Sequence, residues 1–382
     1  MLARSRLTGR LFAGERVRSF GLVAILAVVW IIFQFLTAGL FLSPRNLTVL
    51  SVQVAISAIL AAGIVMIMVP GHIDLSIGAT VSFSAIIAAV AMTNFHFSIW
   101  PAIVATLLVA AVIGVWHGIW VALMRVPAFI VTLATLLALR GASLLITSGR
   151  TIAPSDTITF ISDYSLSPLA SGVVLAALWA GIVGLSIREQ RARLAAGMEA
   201  SFLSLVGIPA VIAGALCLAA IAIAFSYRGM PLPVAVLLAV VAVISFQLRY
   251  TRFGRHLYAI GGNPEAANLA GINIRWHSFW VFVAMGVLYG VAGLIFVARL
   301  DSAPPNGATG LELNVIAAAV IGGTSLLGGV GRVLGAVLGA LLMETLNNGM
   351  SLMNLPSYYQ QITIGFVLLI AVYLDIRARG RG

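Results

Sequence analysis

The sequence predicts an all-α membrane protein, a polytopic helical bundle of about 12 spans (10 to 12), and three observations carry that prediction. Of its 382 residues, 61% are hydrophobic and 9% are charged, whereas a soluble domain needs about a quarter charged residues. The apolar residues recur in runs near the roughly 20 residues with which a helix crosses a bilayer. The arginines between those runs fall mainly on alternate loops, as positive-inside topology requires. Residues 1–382 read as a single transmembrane domain with no separate soluble domain.

In chain order, residues 1–19 form a basic N-terminal segment. The apolar run after it, roughly 21 to 41, is span-length and lacks a small-residue cleavage site, so it reads as a first transmembrane helix rather than a removed signal. Hydropathy places spans near 20–41, 48–69, 76–93, 99–124, 127–147, 169–187, 204–226, 231–248, 278–299, 311–327, 333–350 and 358–375. Each is expected to be helical, because in hydrocarbon a segment must satisfy its own backbone amides, and barrel-strand alternation is absent. The run 311–327 is short and enters `GGTSLLGGVG`, the pattern of a broken or re-entrant helix that lines protein or water.

With the N-terminus inside, seventeen of the 22 basic residues lie in inside loops or tails, while Arg45, Arg150, Arg228 and Arg299 lie outside and Arg140 within a span. Both termini are therefore expected to be cytoplasmic. The formal charge of +11 is topology charge rather than a nucleic-acid face, because the arginines are scattered singly. Every basic residue is arginine and none is lysine, which excludes a P-loop, whose Lys reaches the nucleotide phosphates. The single cysteine, Cys217, excludes an intrachain disulfide or a Cys-rich metal site. No cofactor and no metal is expected.

One inside loop is unlike the spans. Residues 249–277, `RYTRFGRHLYAIGGNPEAANLAGINIRWH`, carry four arginines, one glutamate and many small residues. Asn263 can cap a helix opened by Pro264, with Glu265 in its first turn against the positive end of the dipole. Ala266, Ala267, Leu269 and Ala270 continue it, and Gly271 stops it. The residues alone leave two readings: a connecting helix, or a short helix that presses into a groove on a partner.

The strings `LYAIGGNPEAANLAGIN` and `IAAAVIGGTSLLGGVGRVLGAVLGALLMETLNNGMSLM`, with `HIDLSIGATVSF` and `VPAFIVTLATLLALRGASLLITSGRTI` in the same order, resemble the membrane permease subunit of bacterial monosaccharide ABC importers of the ribose and xylose type, almost end to end. The resemblance implies a transport subunit of the bacterial inner membrane rather than an enzyme. It forms the path for a monosaccharide, uses ATP hydrolysed by two copies of a separate ATP-binding cassette subunit, and receives sugar from an extracytoplasmic binding protein. It also implies a homodimer of permeases in membrane lipid, without nucleic acid. On the same resemblance, Asn263, Pro264, Glu265, Ala266, Ala267, Gly271 and Asn273 form the coupling helix that docks on the ATPase, and the outside loop 148–168 suits the binding protein. Two extra apolar runs, 169–226, resemble the xylose-type permeases and favour a pentose.

Charge within a span is expensive and functional by default. Asp74, Ser76, Glu344 and Asn347 are the translocation-path candidates, although Asp74 could instead cap the third helix; Arg140 also counts. His117, alone on an apolar stretch, reads as a satisfied interior residue. Gly331, Gly335 and Gly339 recur every four residues, which permits close helix packing. The runs 50–90 and 311–348 share a faint parallel repeat, an apolar helix, a polar break and a Gly/Ala-rich helix, which would place the path between the two hairpins. An ion-gradient-driven secondary transporter, with Asp74 or Glu344 as its ion site, is the alternative; its mark would be inverted broken-helix repeats. No span pairs a nucleophilic Ser with a His in the way an intramembrane hydrolase would need.

Overall fold

The computed structural model describes residues 21–154, 156–198 and 201–379. The basic segment 1–19 lies outside the described residues, as does Arg381. Each of the twelve apolar runs contains a helix. They are α1 (Gly21–Leu36), α2 (Pro44–Met68), α3 (Ile77–Thr93), α4 (Ile99–Gly118), α5 (Ala128–Thr147), α7 (Pro168–Ala195), α8 (Ile208–Ser226), α9 (Leu232–Tyr250), α12 (Ile274–Leu300), α13 (Leu311–Ile321), α14 (Val333–Leu352) and α15 (Ser357–Arg379). Three shorter helices lie between them: α6 (Phe160–Asp163), α10 (Arg252–Gly262) and α11 (Pro264–Leu269). Among the described residues, seven helices are long and apolar enough on their own to cross a bilayer. The chain is an all-α membrane protein of many passes; among the described residues its strands are one two-residue pair.

Local chemistry sets the helix starts. Ser43 and Ser167 accept the amides of Asn46 and Ala170 at 3.4 and 3.2 Å, with Pro44 and Pro168 opening α2 and α7. Proline suits that first position because its missing N–H has no helical partner there. At the end of α4 the backbone widens into a π turn, Ile119–Leu123. The expected span 311–327 is cut short: α13 has 11 residues, about 16 Å at 1.5 Å per residue, half a bilayer core. It stops at Gly322 because Gly323 turns the chain with a positive φ of 94°.

Two helices form the centre. α2 is buried along nearly its whole length and α12 along most of it. α12 packs on α3 and α4, and α2 is held between α12, α14, α9 and α13. The α4–α12 contact is backbone on backbone: a Cβ on Gly286 would stand 2.6 Å from the Ala110 carbonyl, and one on Gly114 would stand 2.6 Å from that of Phe282. α14 meets α13 in the same manner, with Gly335 against the backbone of Gly322 and Gly339 against that of Ala318. Gly331 lies ahead of α14 rather than on it, and packs on the side chains of Val65 and Val69.

Residues 169–226 stand at the edge. α7 and α8 pack chiefly on each other, and little of α7 is buried. Their ends are clamped at both levels. Strand β1 (Ser165–Leu166) pairs antiparallel with β2 (Met230–Pro231) at one end. At the other, Glu189 bonds Arg193 at 2.6 Å and also pairs with Arg249 of α9. The arginine-rich ends of α7 and α9 therefore lie on one side of the bundle.

Candidate coupling and translocation sites

The loop 249–277 folds as two helices and a cap. Thr251 opens α10 by accepting the Gly254 amide at 3.2 Å. Gly254, Leu257 and Ile260 form its buried stripe, while Arg252 and Arg255 stay exposed. Asn263 Oδ1 accepts the Ala266 amide at 2.9 Å, Pro264 starts α11 and Glu265 sits in its first turn. Gly271, at φ 80°, ends it. Asn273 Oδ1 then accepts the Trp276 amide at 3.0 Å and opens α12.

Of the seven residues assigned to this motif, Asn263, Pro264, Glu265, Ala266, Gly271 and Asn273 are exposed, whereas Ala267 turns inward. Ala267 packs because its position faces the bundle; its amide donates to the Asn263 carbonyl at 3.0 Å, and its carbonyl accepts Ile272 N–H at 3.0 Å. The large apolar surface residue left out of that set is Leu269, 87% exposed. An apolar residue standing out of a short polar loop was the available signal.

α10 rests on the meeting point of the two polar breaks, 69–76 and 322–332. The Gly329 amide donates to the Val69 carbonyl at 2.8 Å. A Cβ at Gly261 would overlap both atoms of that bond, so the glycine lets α10 press on it. Tyr258 Oη donates to the Gly331 carbonyl at 2.7 Å. Burial pushes this phenol's pKa up, with the Arg332 charge opposing, so it keeps the proton it donates. α10 is also tied to α12. His277 Nδ1 lies 2.6 Å from the Asn273 carbonyl, which only accepts, so that nitrogen carries the hydrogen. His277 Nε2 then faces His256 Nδ1 at 3.0 Å, and Phe253 stacks on the His277 ring at 5.2 Å.

The polar residues named as path candidates divide into two buried networks. Asp74 is fully buried. Its Oδ1 accepts Ser76 N–H at 2.8 Å and Ser76 Oγ–H at 2.7 Å, and its Oδ2 accepts the Tyr289 hydroxyl of α12. Asp74 and Ser76 thus hold the start of α3 against α12, and neither is exposed. Glu344 accepts from Ser57 of α2. One turn on, the Asn348 amide joins Asn46 and Gln53, donating at 3.1 and 3.3 Å. The Asn347 side-chain oxygen is shielded and has no hydrogen-bond partner. His117 departs from its expected satisfied state: it is fully buried, yet neither ring nitrogen is hydrogen-bonded. It packs edge-on to Phe282, 5.9 Å between ring centres.

At the end of the bundle away from α10 and α11, a cavity of about 410 Å³ opens between α2, the strand pair and the end of α12; Arg45, Arg228, Arg299, Asp163 and Tyr227 are among its lining. Among the described residues no group of three His, Cys, Asp or Glu could hold a metal. The two breaks are linked through α10 to α11 and α12.

A permease family described as "Branched-chain amino acid transport system / permease component" matches residues 46–372. The chain is 42% identical over 359 residues to the xylose transport system permease protein XylH of Haemophilus influenzae, covering 93% of this chain and 94% of that one. It is 39% identical over 363 residues to the protein of that name in Escherichia coli, covering 95% and 92%. The ribose import permease protein RbsC of Escherichia coli is 33% identical over 354 residues, covering 93% and 92%. No solved structure matches.

Proposed function

The chain belongs to this family of transport-system permeases, and from that premise we propose that it is the transmembrane subunit of an ATP-driven importer carrying a monosaccharide, a pentose of the xylose kind, across the bacterial inner membrane. The observation that carries the sugar is the identity to two xylose permeases, 42% and 39% over more than nine-tenths of this chain, against 33% to a ribose permease.

The whole chain acts as one transmembrane domain of twelve passes, with segment 1–19 and both termini in the cytoplasm and 169–226 as a peripheral two-span addition. Two copies surround the path. A pair of ATP-binding cassette subunits docks beneath them on the coupling loop 249–277, with Asn263, Pro264, Glu265, Ala266, Gly271 and Asn273 at the contact and Ala267 supporting it from within. A sugar-binding protein docks on the other face. Closure of the ATPase pair pushes α11, and α10 passes the movement through Gly261 and Tyr258 to the two breaks. The equilibrium between outward-open and inward-open states then shifts by the difference in partner affinity for each. Asp74 and Ser76 serve this path as struts that keep α3 on α12. Glu344 and Asn347 sit on α14 where it meets α2, and Gly331, Gly335 and Gly339 let the second break and α14 pack closely enough to move as a unit.

The test is reconstitution. The chain alone in liposomes is expected neither to hydrolyse ATP nor to take up D-xylose under a proton or sodium gradient, because it has no lysine for a P-loop. Adding the ATPase and the loaded binding protein together restores uptake. Gradient-driven uptake by the lone chain would overturn the importer and promote Asp74 and Glu344 to ion sites. Restored transport that prefers ribose would keep the pentose importer and overturn only the choice of xylose.

A further inference from the structure

One charged pair at bilayer depth belongs to neither buried network. Arg140 stands twelve residues into α5, about 18 Å from its start at 1.5 Å per residue, and the helix runs on to Thr147. The side chain is partly exposed beside Leu137, Leu144 and Leu145, which face outward at 66%, 42% and 81%. A guanidinium offers five N–H donors. Among the described residues its one hydrogen bond is a long one, 3.4 Å from Nη1 to the Pro305 carbonyl.

The loop that supplies this carbonyl folds back from the end of α12 into the layer. Ser82, five residues into α3, shares its one hydroxyl hydrogen between the carbonyls of Pro304 and Pro305 at 3.1 and 3.2 Å. The loop then enters the half-length α13 through Gly310, whose amide donates to Glu312 Oε1 at 3.2 Å. Glu312 Oε2 is shielded and unpartnered, as is Asn314 Oδ1 two residues on. Glu312 lies close enough to act electrostatically on Arg140, without direct ion-pair contact. Gly78 has no side chain where the Glu312 carboxylate sits.

Charge on the outer face of a bilayer helix is retained where it faces water or another chain rather than lipid. The charges of Arg140 and Glu312 balance, so the site selects no ion. Guanidinium donors beyond the one bond to Pro305, and two oxygens two residues apart that lack a partner among the described residues, match the alternating donors and acceptors of adjacent hydroxyls. We propose that Arg140, Glu312 and Asn314 form a transient binding site for a neutral polyol, and that the sugar's hydroxyls bridge the gap between the guanidinium and the carboxylate. This rests on the importer reading and names the residues that meet its cargo.

The test uses the reconstituted assembly of permease, ATPase and binding protein with D-xylose as probe. Arg140→Gln and Glu312→Gln should each lower xylose uptake per ATP hydrolysed at least tenfold, with ATPase stimulation by the loaded binding protein staying within twofold of wild type. Arg140→Lys keeps the charge without the planar fork and should lower uptake severalfold. Wild-type uptake per ATP in the two Gln variants overturns the site. If those variants do not assemble, Asn314→Cys in a Cys217→Ala background decides: xylose should slow its labelling by a small thiol reagent at least fivefold during turnover, and an unchanged rate overturns the site. Failure of the importer reading shows separately, as a wild-type assembly that hydrolyses ATP and moves no pentose.

Discussion

Gly261 lacks a side chain at the one point where α10 presses on the Val69–Gly329 hydrogen bond. Gly261→Ala would drive a methyl into two backbones that cannot rotate away, at an overpacking cost of about 1–3 kcal/mol. Tyr258→Phe removes the bond to the Gly331 carbonyl, worth about 0.5–1.5 kcal/mol, while leaving the ring. Both changes leave the exposed face of α11 intact, so co-purification with the ATPase should persist while xylose uptake per ATP falls severalfold. Normal uptake in both would show that the junction is only packing. Little of this was legible in the sequence, because the partners of Gly261 and Tyr258 are brought together by tertiary packing alone. Asp74 divides the same way: its bonds to Ser76, two residues away, follow from local chemistry, whereas Tyr289, 215 residues away, does not.

Elements were legible where local chemistry sets them. Apolar run length placed the long helices, and the sequence Asn263, Pro264, Glu265 and Gly271 contains a cap, a first turn and a stop, so α11 could be read residue by residue. The end of α13 was overrun because Ile321 is followed by apolar and small residues that continue the hydropathy, while the stop lies in the backbone turn at Gly323. The inward face of Ala267 was not readable, since six residues hold too few turns to show a periodicity. α11 presents one acidic and one apolar group outward, Glu265 and Leu269. Glu265→Arg reverses the loop's only negative charge, and Leu269→Glu places a charge where a groove would take a side chain. Each is expected to weaken co-purification of the ATPase and lower uptake at least fivefold, with insertion and thermal midpoint unchanged. Wild-type values for both readouts in both variants would remove α11 from the interface.

For the whole molecule the sidedness of the bilayer follows from charge and from two structural ties. Glu189 joins the arginine-bearing ends of α7 and α9, and the strand pair joins the segments that precede α7 and α9 at their opposite ends. Residues near 190 and residues near 160 therefore lie at opposite ends of α7. The proposed orientation puts the first end inside on the arginine bias: Arg188, Arg191, Arg193, Arg249, Arg252 and Arg255 surround it, and Arg150 and Arg228 flank the second. Single cysteines at Gln190 and Phe160, each in a Cys217→Ala background, test this without purification. A membrane-impermeant thiol reagent applied to intact cells whose outer membrane has been opened should label Phe160→Cys and spare Gln190→Cys, and lysis should make the second reactive. The Phe160 position is half exposed already, so failure to label it could not be blamed on burial. Equal labelling of the two before lysis would overturn the orientation, and with it the placement of α10 and α11 on the side where ATP is hydrolysed.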